Sequence, residues 1–156
     1  MDYDVLIIGS GPGGYVAAIR AAQLGMKVAV IEKESIGGIC LNWGCIPTKS
    51  LLKSAQAYEY AVHAAEYGVT VEGTVKPDFS AMIKRSREVA EKMSKGVQFL
   101  FKKNKVEAIA GFGKLASKNS VEVTDESGKK KKYTAKHIIL ATGARSRELP
   151  NLTQDG

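Results

Sequence analysis

The chain has 156 residues, enough for one domain with its own core, and 44% hydrophobic against 25% charged residues is a globular balance that excludes wholesale disorder. The net charge of +7 invites a nucleic-acid reading, but the densest basic run, Lys129 to Lys132, follows Asp125-Glu126-Ser127-Gly128 as a solvated hairpin loop with no interleaved aromatics to stack on bases. No apolar run approaches the roughly 20 residues that cross a bilayer, and the acidic start "MDYDVLII" leaves no room for a signal peptide. The expectation is a soluble cytoplasmic protein with neither nucleic-acid nor membrane partners.

Val5-Leu6-Ile7-Ile8, a short apolar run ended by glycines, predicts a strand buried on both faces. "GPGGYVAAIRAAQLG" follows, with only Arg20 and Gln23 strongly polar, and predicts a well-buried helix closed by Gly25. Lys27 to Ile31 is a second strand, ending at Glu32. Strand, helix and strand within about 30 residues make a βαβ unit, hence a parallel sheet. Leu51, Leu52, Ala55, Tyr58 and Val62 recur at helical spacing, with Gly68 as the stop. Asp78 reads as the N-cap of a long helix carrying Phe79, Met82, Ile83, Val89, Met93, Val97 and Leu100 on one side, with Asn104 beyond its end. Val106 to Ala110 predicts a third strand. Lys114 to Ala116, Val121 to Thr124 and Tyr133 to Ala135 predict a small antiparallel meander, turned at Ser127-Gly128. His137 to Ala141 then returns to a buried strand. The fold class is α/β: one domain with a parallel sheet and an antiparallel β-meander insertion.

Gly9-Ser10-Gly11-Pro12-Gly13-Gly14 fits G-x-G-x-x-G between a predicted strand and a predicted helix, the setting this motif requires in a Rossmann-like fold. The glycines allow a tight turn and close approach of a pyrophosphate to backbone N–H groups at a helix N-terminus. Glu32 stands 18 residues past Gly14, where a carboxylate accepts hydrogen bonds from a ribose diol. An acid there argues against a 2′-phosphate, but it does not separate NAD from FAD.

Both cysteines lie in "GGICLNWGCIPTKSLL", Gly37 to Leu52. A zinc site needs about four ligands, and only His63 and His137 could join Cys40 and Cys45, at no finger-like spacing. A permanent staple is out of place in a reducing cytosol. In one regular helix the two Cα atoms would be about 8.7 Å apart, beyond the roughly 7 Å limit for a disulfide. A bond therefore needs an irregular turn, which Gly44 could supply, with Pro47 in the first turn of the next helix. Cys45 would then stand at that helix's N-terminus, where the dipole favours a thiolate. An accessible pair of unequal thiols beside a dinucleotide site suits reversible redox work, although two unrelated buried thiols are the bland alternative. A nicotinamide does not ordinarily mediate thiol–disulfide exchange and a flavin can, which tips the cofactor towards FAD.

These motifs, with "ILATGAR" at Ile139 to Arg145, resemble the N-terminal part of the flavin-dependent pyridine nucleotide–disulfide oxidoreductases. Within that family "CLNxGCIPxKxLL" looks most like the dihydrolipoamide dehydrogenases, with Trp43 an uncommon residue between Asn42 and Gly44. The resemblance implies that Gly9, Gly11, Gly13 and Gly14 line the FAD pyrophosphate and that Glu32, beside Lys33, holds the adenosine ribose. It implies that Cys40 is the interchange thiol and that Cys45 lies against the flavin, the two forming the redox-active disulfide. Gly38 and Lys49 would sit near the flavin, the backbone around Gly113 would meet the adenine, and Thr142, Gly143 and Ala144 would form a second FAD-contacting loop. It further implies NAD as electron acceptor and, as partner, the lipoyl domain of a 2-oxo-acid dehydrogenase complex or glycine cleavage system.

The sequence also departs from the family pattern. It has no second G-x-G-x-x-G, and neither histidine lies in a His-x-x-x-x-Glu context. The expectation is that residues 1–156 are an incomplete N-terminal FAD-binding domain, without the NAD-binding and dimer-interface domains, inactive alone though its full-length parent is a homodimer. Another disulfide reductase of the family, acting on glutathione, mercuric ion or a coenzyme disulfide, is the nearest alternative. A nucleotide-binding module without redox chemistry is the alternative of a different class.

Overall fold

Leu6, Ile7, Val30 and Ile31 are almost wholly removed from solvent because their strands lie inside a six-stranded sheet. The computed structural model describes residues 1–144, 147 and 149–151. Strand β1 (Tyr3–Ile8) pairs in parallel with β2 (Val28–Glu32), and β2 in parallel with β3 (Glu107–Ala110). On its other side β1 pairs in parallel with the second half of β6 (Lys130–Leu140), from Tyr3 opposite Ala135 to Ile8 opposite Leu140. The first half of β6 runs antiparallel to β5 (Ser120–Thr124), which pairs with β4 (Phe112–Ser117).

The meander's last strand and the strand expected from His137 are thus one 11-residue strand that changes partners near Ala135. The expectation of burial beyond His137 is corrected: Ala135 is buried, but His137, Ile139 and Leu140 are exposed. Among the described residues no strand pairs with this half of β6 on the side away from β1.

Alternation along β1 and β2 divides the core. Leu6, Ile8, Ala29 and Ile31 cluster with Ile109 and with Val121 and Val123 of β5 and Ala135 of β6. Val5, Ile7, Val28 and Val30 face the helices, clustering with Ala18, Leu41, Val97 and Phe101. Each such side chain contributes about 1.5–3 kcal/mol relative to exposure. The parallel sheet is therefore a middle layer between helices and meander.

Helix α1 (Pro12–Gln23) packs through a stripe of small residues. Gly14 and Ala18 are buried while Val16 is exposed, so α1 is less buried than its alanine content predicts. Helices α2 (Gly38–Asn42) and α3 (Cys45–Val62) follow, and a 3₁₀ turn (Ala64–Tyr67) closes at Gly68 in the left-handed conformation. Helix α4 (Phe79–Lys103) starts as predicted, the Asp78 side chain accepting from the Ala81 N–H at 2.9 Å. Its packed face differs from the predicted one. Ser86, Ala90, Ser94, Val97 and Phe101 are buried, while Phe79, Ile83, Met93 and Leu100 are exposed. Small residues let α4 lie close to its neighbours, and the buried hydroxyls are satisfied, Ser94 Oγ donating to the Ile36 carbonyl at 2.7 Å and Ser86 Oγ to that of Ile83.

Candidate functional site

Every parallel strand delivers its C-terminal end to one place, where open α/β sheets bind ligands. Gly9 and Gly11 follow β1, Glu32 ends β2 and Lys33 follows it, Gly111 follows β3, and Ala141 to Ala144 follow β6. All of them line a cleft of about 770 Å³. Cys40, Cys45, Gly38 and Gly113 line it too, so most of the residues singled out in the sequence converge. Gly13, Gly14 and Lys49 do not line it.

The glycines divide by role. Gly9 adopts a positive φ of 99°, and a Cβ there would fall 2.2 Å from the Ala141 carbonyl oxygen. Gly11 has open space around it and forms cleft floor. A Cβ on Gly14 would lie 1.9 Å from the Gly9 carbonyl oxygen, so this glycine lets α1 press against the turn after β1. Gly14 is thus packed against the protein's own backbone and does not line the cleft. Helix α1 has no side-chain cap at its N-terminus, which leaves its first-turn N–H groups for an anion. Gly113 brings β4 over the ends of β1 and β2, since a Cβ there would sit 3.1 Å from Ile31 and 3.2 Å from Ile8.

Glu32 is already engaged. Its Oε2 accepts from the Ser10 N–H at 2.9 Å and from Ser10 Oγ at 2.7 Å, and its Oε1 accepts from the Glu34 N–H at 3.0 Å. A carboxylate has about four lone-pair positions, so a ribose hydroxyl could still be accepted, but in competition with Ser10. Lys33 pairs with Glu34 at 2.9 Å across the solvated rim.

Between the cysteines the helix breaks as the spacing requires. Helix α2 ends at Asn42, and Gly44, with φ −112° and ψ −110°, precedes α3. The N–H groups of Trp43 and Gly44 both donate to the Ile39 carbonyl, at 2.9 and 2.7 Å. Cys45 stands first in α3 and Pro47 in its first turn. Both cysteines are free thiols, Cys40 half-buried and Cys45 exposed. A hydrogen bond with the Cys45 thiol, then burial, hold the Cys40 thiol above its ordinary range, while the charge on Lys49 acts in the opposite direction. Lys49 itself is exposed.

Several contributors were not singled out in the sequence. Ser10 is fully buried and ties the glycine loop to Glu32. Asn42 Nδ2 donates to the carbonyls of Ile36 and Gly38, and Arg87 donates to the Asn42 carbonyl from α4. Trp43 lines the cleft beside the cysteines. A polar residue within a glycine loop and an asparagine between two cysteines were the available signals. Among the described residues no cluster of three or more His, Cys, Asp or Glu could hold a metal ion, and no helix is long and apolar enough to cross a membrane.

Residues 3–155 match the family model described as pyridine nucleotide-disulphide oxidoreductase. The chain belongs to that family. It is 54% identical to a dihydrolipoyl dehydrogenase of Rhizobium etli, an alignment covering 99% of this chain and 35% of the relative. A second, from Zymomonas mobilis, is also 54% identical, over 99% of this chain and 33% of the relative. The chain thus spans about a third of the length of these curated relatives. Among solved structures it resembles the Cu(II) complex of the HOCl-induced flavoprotein disulfide reductase RclA from Escherichia coli, with a TM-score of 0.79 and 27% identity over 96% of this chain and 30% of that one. The family match spans every segment that builds the cleft, and the mixed parallel and antiparallel sheet is that of a flavoprotein disulfide reductase.

Proposed function

We propose that this chain is the FAD-binding, redox-disulfide portion of a cytoplasmic dihydrolipoamide dehydrogenase that is homodimeric at full length. NAD would bind to a domain outside residues 1–156, and the substrate would arrive on the lipoyl domain of a 2-oxo-acid dehydrogenase complex or glycine cleavage system. The observation that carries this reading is the meeting of two free thiols, Cys40 and Cys45, on the wall of a glycine-floored cleft. The cleft chemistry fits FAD: Gly11 leaves room for a pyrophosphate, the uncapped start of α1 suits its charge, Glu32 can accept from a ribose, and Ile8, Ile31 and Phe112 offer apolar wall to ring systems. Bound FAD would supply two-electron acceptance from the dithiol.

The residues' part is thiol–disulfide exchange. One thiolate of dihydrolipoamide attacks the sulfur of Cys40 in the Cys40–Cys45 disulfide, and Cys45 leaves as a thiolate. The second substrate thiol, losing its proton, then displaces Cys40 from the mixed disulfide. Lipoamide departs oxidised by two electrons, and the protein pair holds those electrons. The 54% identity to dihydrolipoyl dehydrogenases supports this substrate over glutathione or a coenzyme disulfide.

The test is to denature the full-length protein and identify the released nucleotide by chromatography; FAD is expected. Release of NAD alone, or of nothing, would sink the flavin reading. NADH formation from dihydrolipoamide tests the substrate. The full-length protein should turn over and the 156-residue chain with added FAD should not.

A further inference from the structure

The residue that joins the nucleotide loop to the cysteine segment is Ser10. It has no exposed surface, and its hydroxyl does two things at once. Ser10 Oγ donates to Glu32 Oε2 at 2.7 Å and accepts from the Gly37 N–H at 3.1 Å. The same N–H also reaches the Ser10 carbonyl at 3.1 Å. Gly37 has a φ of 101° and is the N-cap of α2, the short helix that carries Cys40. The two loops touch: a Cβ on Gly38 would lie 2.8 Å from the Gly11 Cα. Asn42 closes α2 back onto Ile36 and Gly38, so hydrogen bonds tie together the segment from Ile36 to Asn42.

We propose that Ser10 is a positioning residue that couples the carboxylate of Glu32, through Gly37 and the start of α2, to the redox balance of Cys40 and Cys45. The inference rests on the redox reading of that pair. An O–H that donates to a carboxylate becomes a better acceptor, so the bond to Glu32 strengthens the bond from Gly37. A hydroxyl group of a ligand that takes up Glu32 Oε2 competes with Ser10 and weakens that hold. Holding α2 in place keeps Cys40 against Cys45, and an ordered pair closes its disulfide more readily than a loose one. Loosening it favours the dithiol.

The experiment equilibrates the ligand-free 156-residue chain with mixtures of glutathione and glutathione disulfide and counts free thiols by alkylation and mass spectrometry. The disulfide takes two electrons and two protons from two glutathione molecules, which leave as one glutathione disulfide. Ser10→Ala should shift the equilibrium about three- to tenfold towards the dithiol, the upper value being about 30 mV for a two-electron couple. Glu32→Gln should shift it less, in the same direction. The double variant should shift no further than Ser10→Ala alone, because one path carries both effects. Ser10→Thr, which keeps the hydroxyl, should stay within about twofold of the parent. Thermal melts identify any variant that has lost its fold, and if Ser10→Ala does so, Glu32→Gln carries the test. Unshifted equilibria in the folded variants, or effects of Ser10→Ala and Glu32→Gln that multiply, would overturn the coupling. A chain in which the two cysteines never pair would overturn the redox reading and the coupling with it. In a separate arm FAD is added to the flavin-stripped full-length protein and its fluorescence followed; a full-length protein that binds none counts against the flavin reading and leaves the ligand-free result standing.

Discussion

Two glycine-containing turns of this protein are held in opposite ways. At Asp125 to Lys129 the turn closes on itself: the Asp125 carboxylate accepts from the N–H groups of Ser127 and Lys129 and from Ser127 Oγ, at 2.9, 2.9 and 2.6 Å, and Gly128 faces open space. From Ile36 to Cys45 the grip comes from elsewhere. Ser10, Ser94 and Arg87 bond to Gly37, Ile36 and Asn42 across separations of 27, 58 and 45 residues. A change in a turn that carries its own partners stays local, whereas a segment held by the rest of the molecule reports on all of it. Both cysteines sit in the second kind.

Substitutions test this contrast, and the largest effect belongs to the chemistry itself. In the flavin-loaded full-length protein, Cys40→Ser should reduce exchange with a lipoyl substrate to background. Cys45→Ser should remove the long-wavelength absorbance expected of a thiolate against the flavin. Ser127→Ala, in the self-contained turn, should leave turnover within about twofold, as surface changes usually do. If both cysteine variants turned over dihydrolipoamide normally, their assigned roles would be wrong.

Glycine replacements come next. Gly38→Ala must fit a Cβ 2.8 Å from backbone at a φ of 62° and should cost about 3 kcal/mol in a denaturant titration. Gly128→Ala, at a φ of 81° in open space, should cost about 1 kcal/mol. Equal losses would erase the distinction between the two turns. Ser94→Ala removes the donor to the Ile36 carbonyl and should cost about 1 kcal/mol. It should also speed alkylation of Cys40, whereas Ser127→Ala should not.

Smallest is the pH response. Because the thiol of Cys45 holds that of Cys40 above its ordinary range, the thiolate at Cys40 forms late as pH rises. Iodoacetamide should therefore label Cys40 more slowly at mildly alkaline pH than it labels an unperturbed cysteine, and Cys45→Ala should move the profile to lower pH. Asp125 goes the other way. The Ser127 hydroxyl and the turn's N–H groups hold its carboxyl below the usual range. Its contribution to stability is present above that range and is lost as pH falls through the lowered value. A carboxyl titration by NMR that found Asp125 at an ordinary value would remove this difference.

The same contrast explains what was legible in the sequence. Asp125-Glu126-Ser127-Gly128 announces its turn because every partner is a near neighbour, and Asp78 announces α4 for the same reason. The break at Gly44 was readable because five residues of regular helix hold two thiols too far apart. Ser10 was not, since nothing local says that its hydroxyl meets Glu32 22 residues away. The buried face of α4 was misjudged because hydrophobicity marks what can be buried, while close approach selected Ser86, Ala90 and Ser94. For Gly14, the motif announced a glycine, but not that the space beside it is filled by the protein's own carbonyl.

The partner change in β6 sets a schedule for the newborn chain. Strand β1 is made well before one of its two neighbours: Asp2 bonds to Thr134 across 132 residues. At the usual pace of synthesis, about 5–20 residues per second, β1 waits on the order of ten seconds with an unpaired edge. Its early neighbours, β2 and α1, are local and can form at once, but the sheet closes only when β6 arrives, and such long-range pairing is slow. A strand made before β6 is thus completed only with it, and during that interval Leu6 and Ile7, later at the centre of the core, need shelter from other chains.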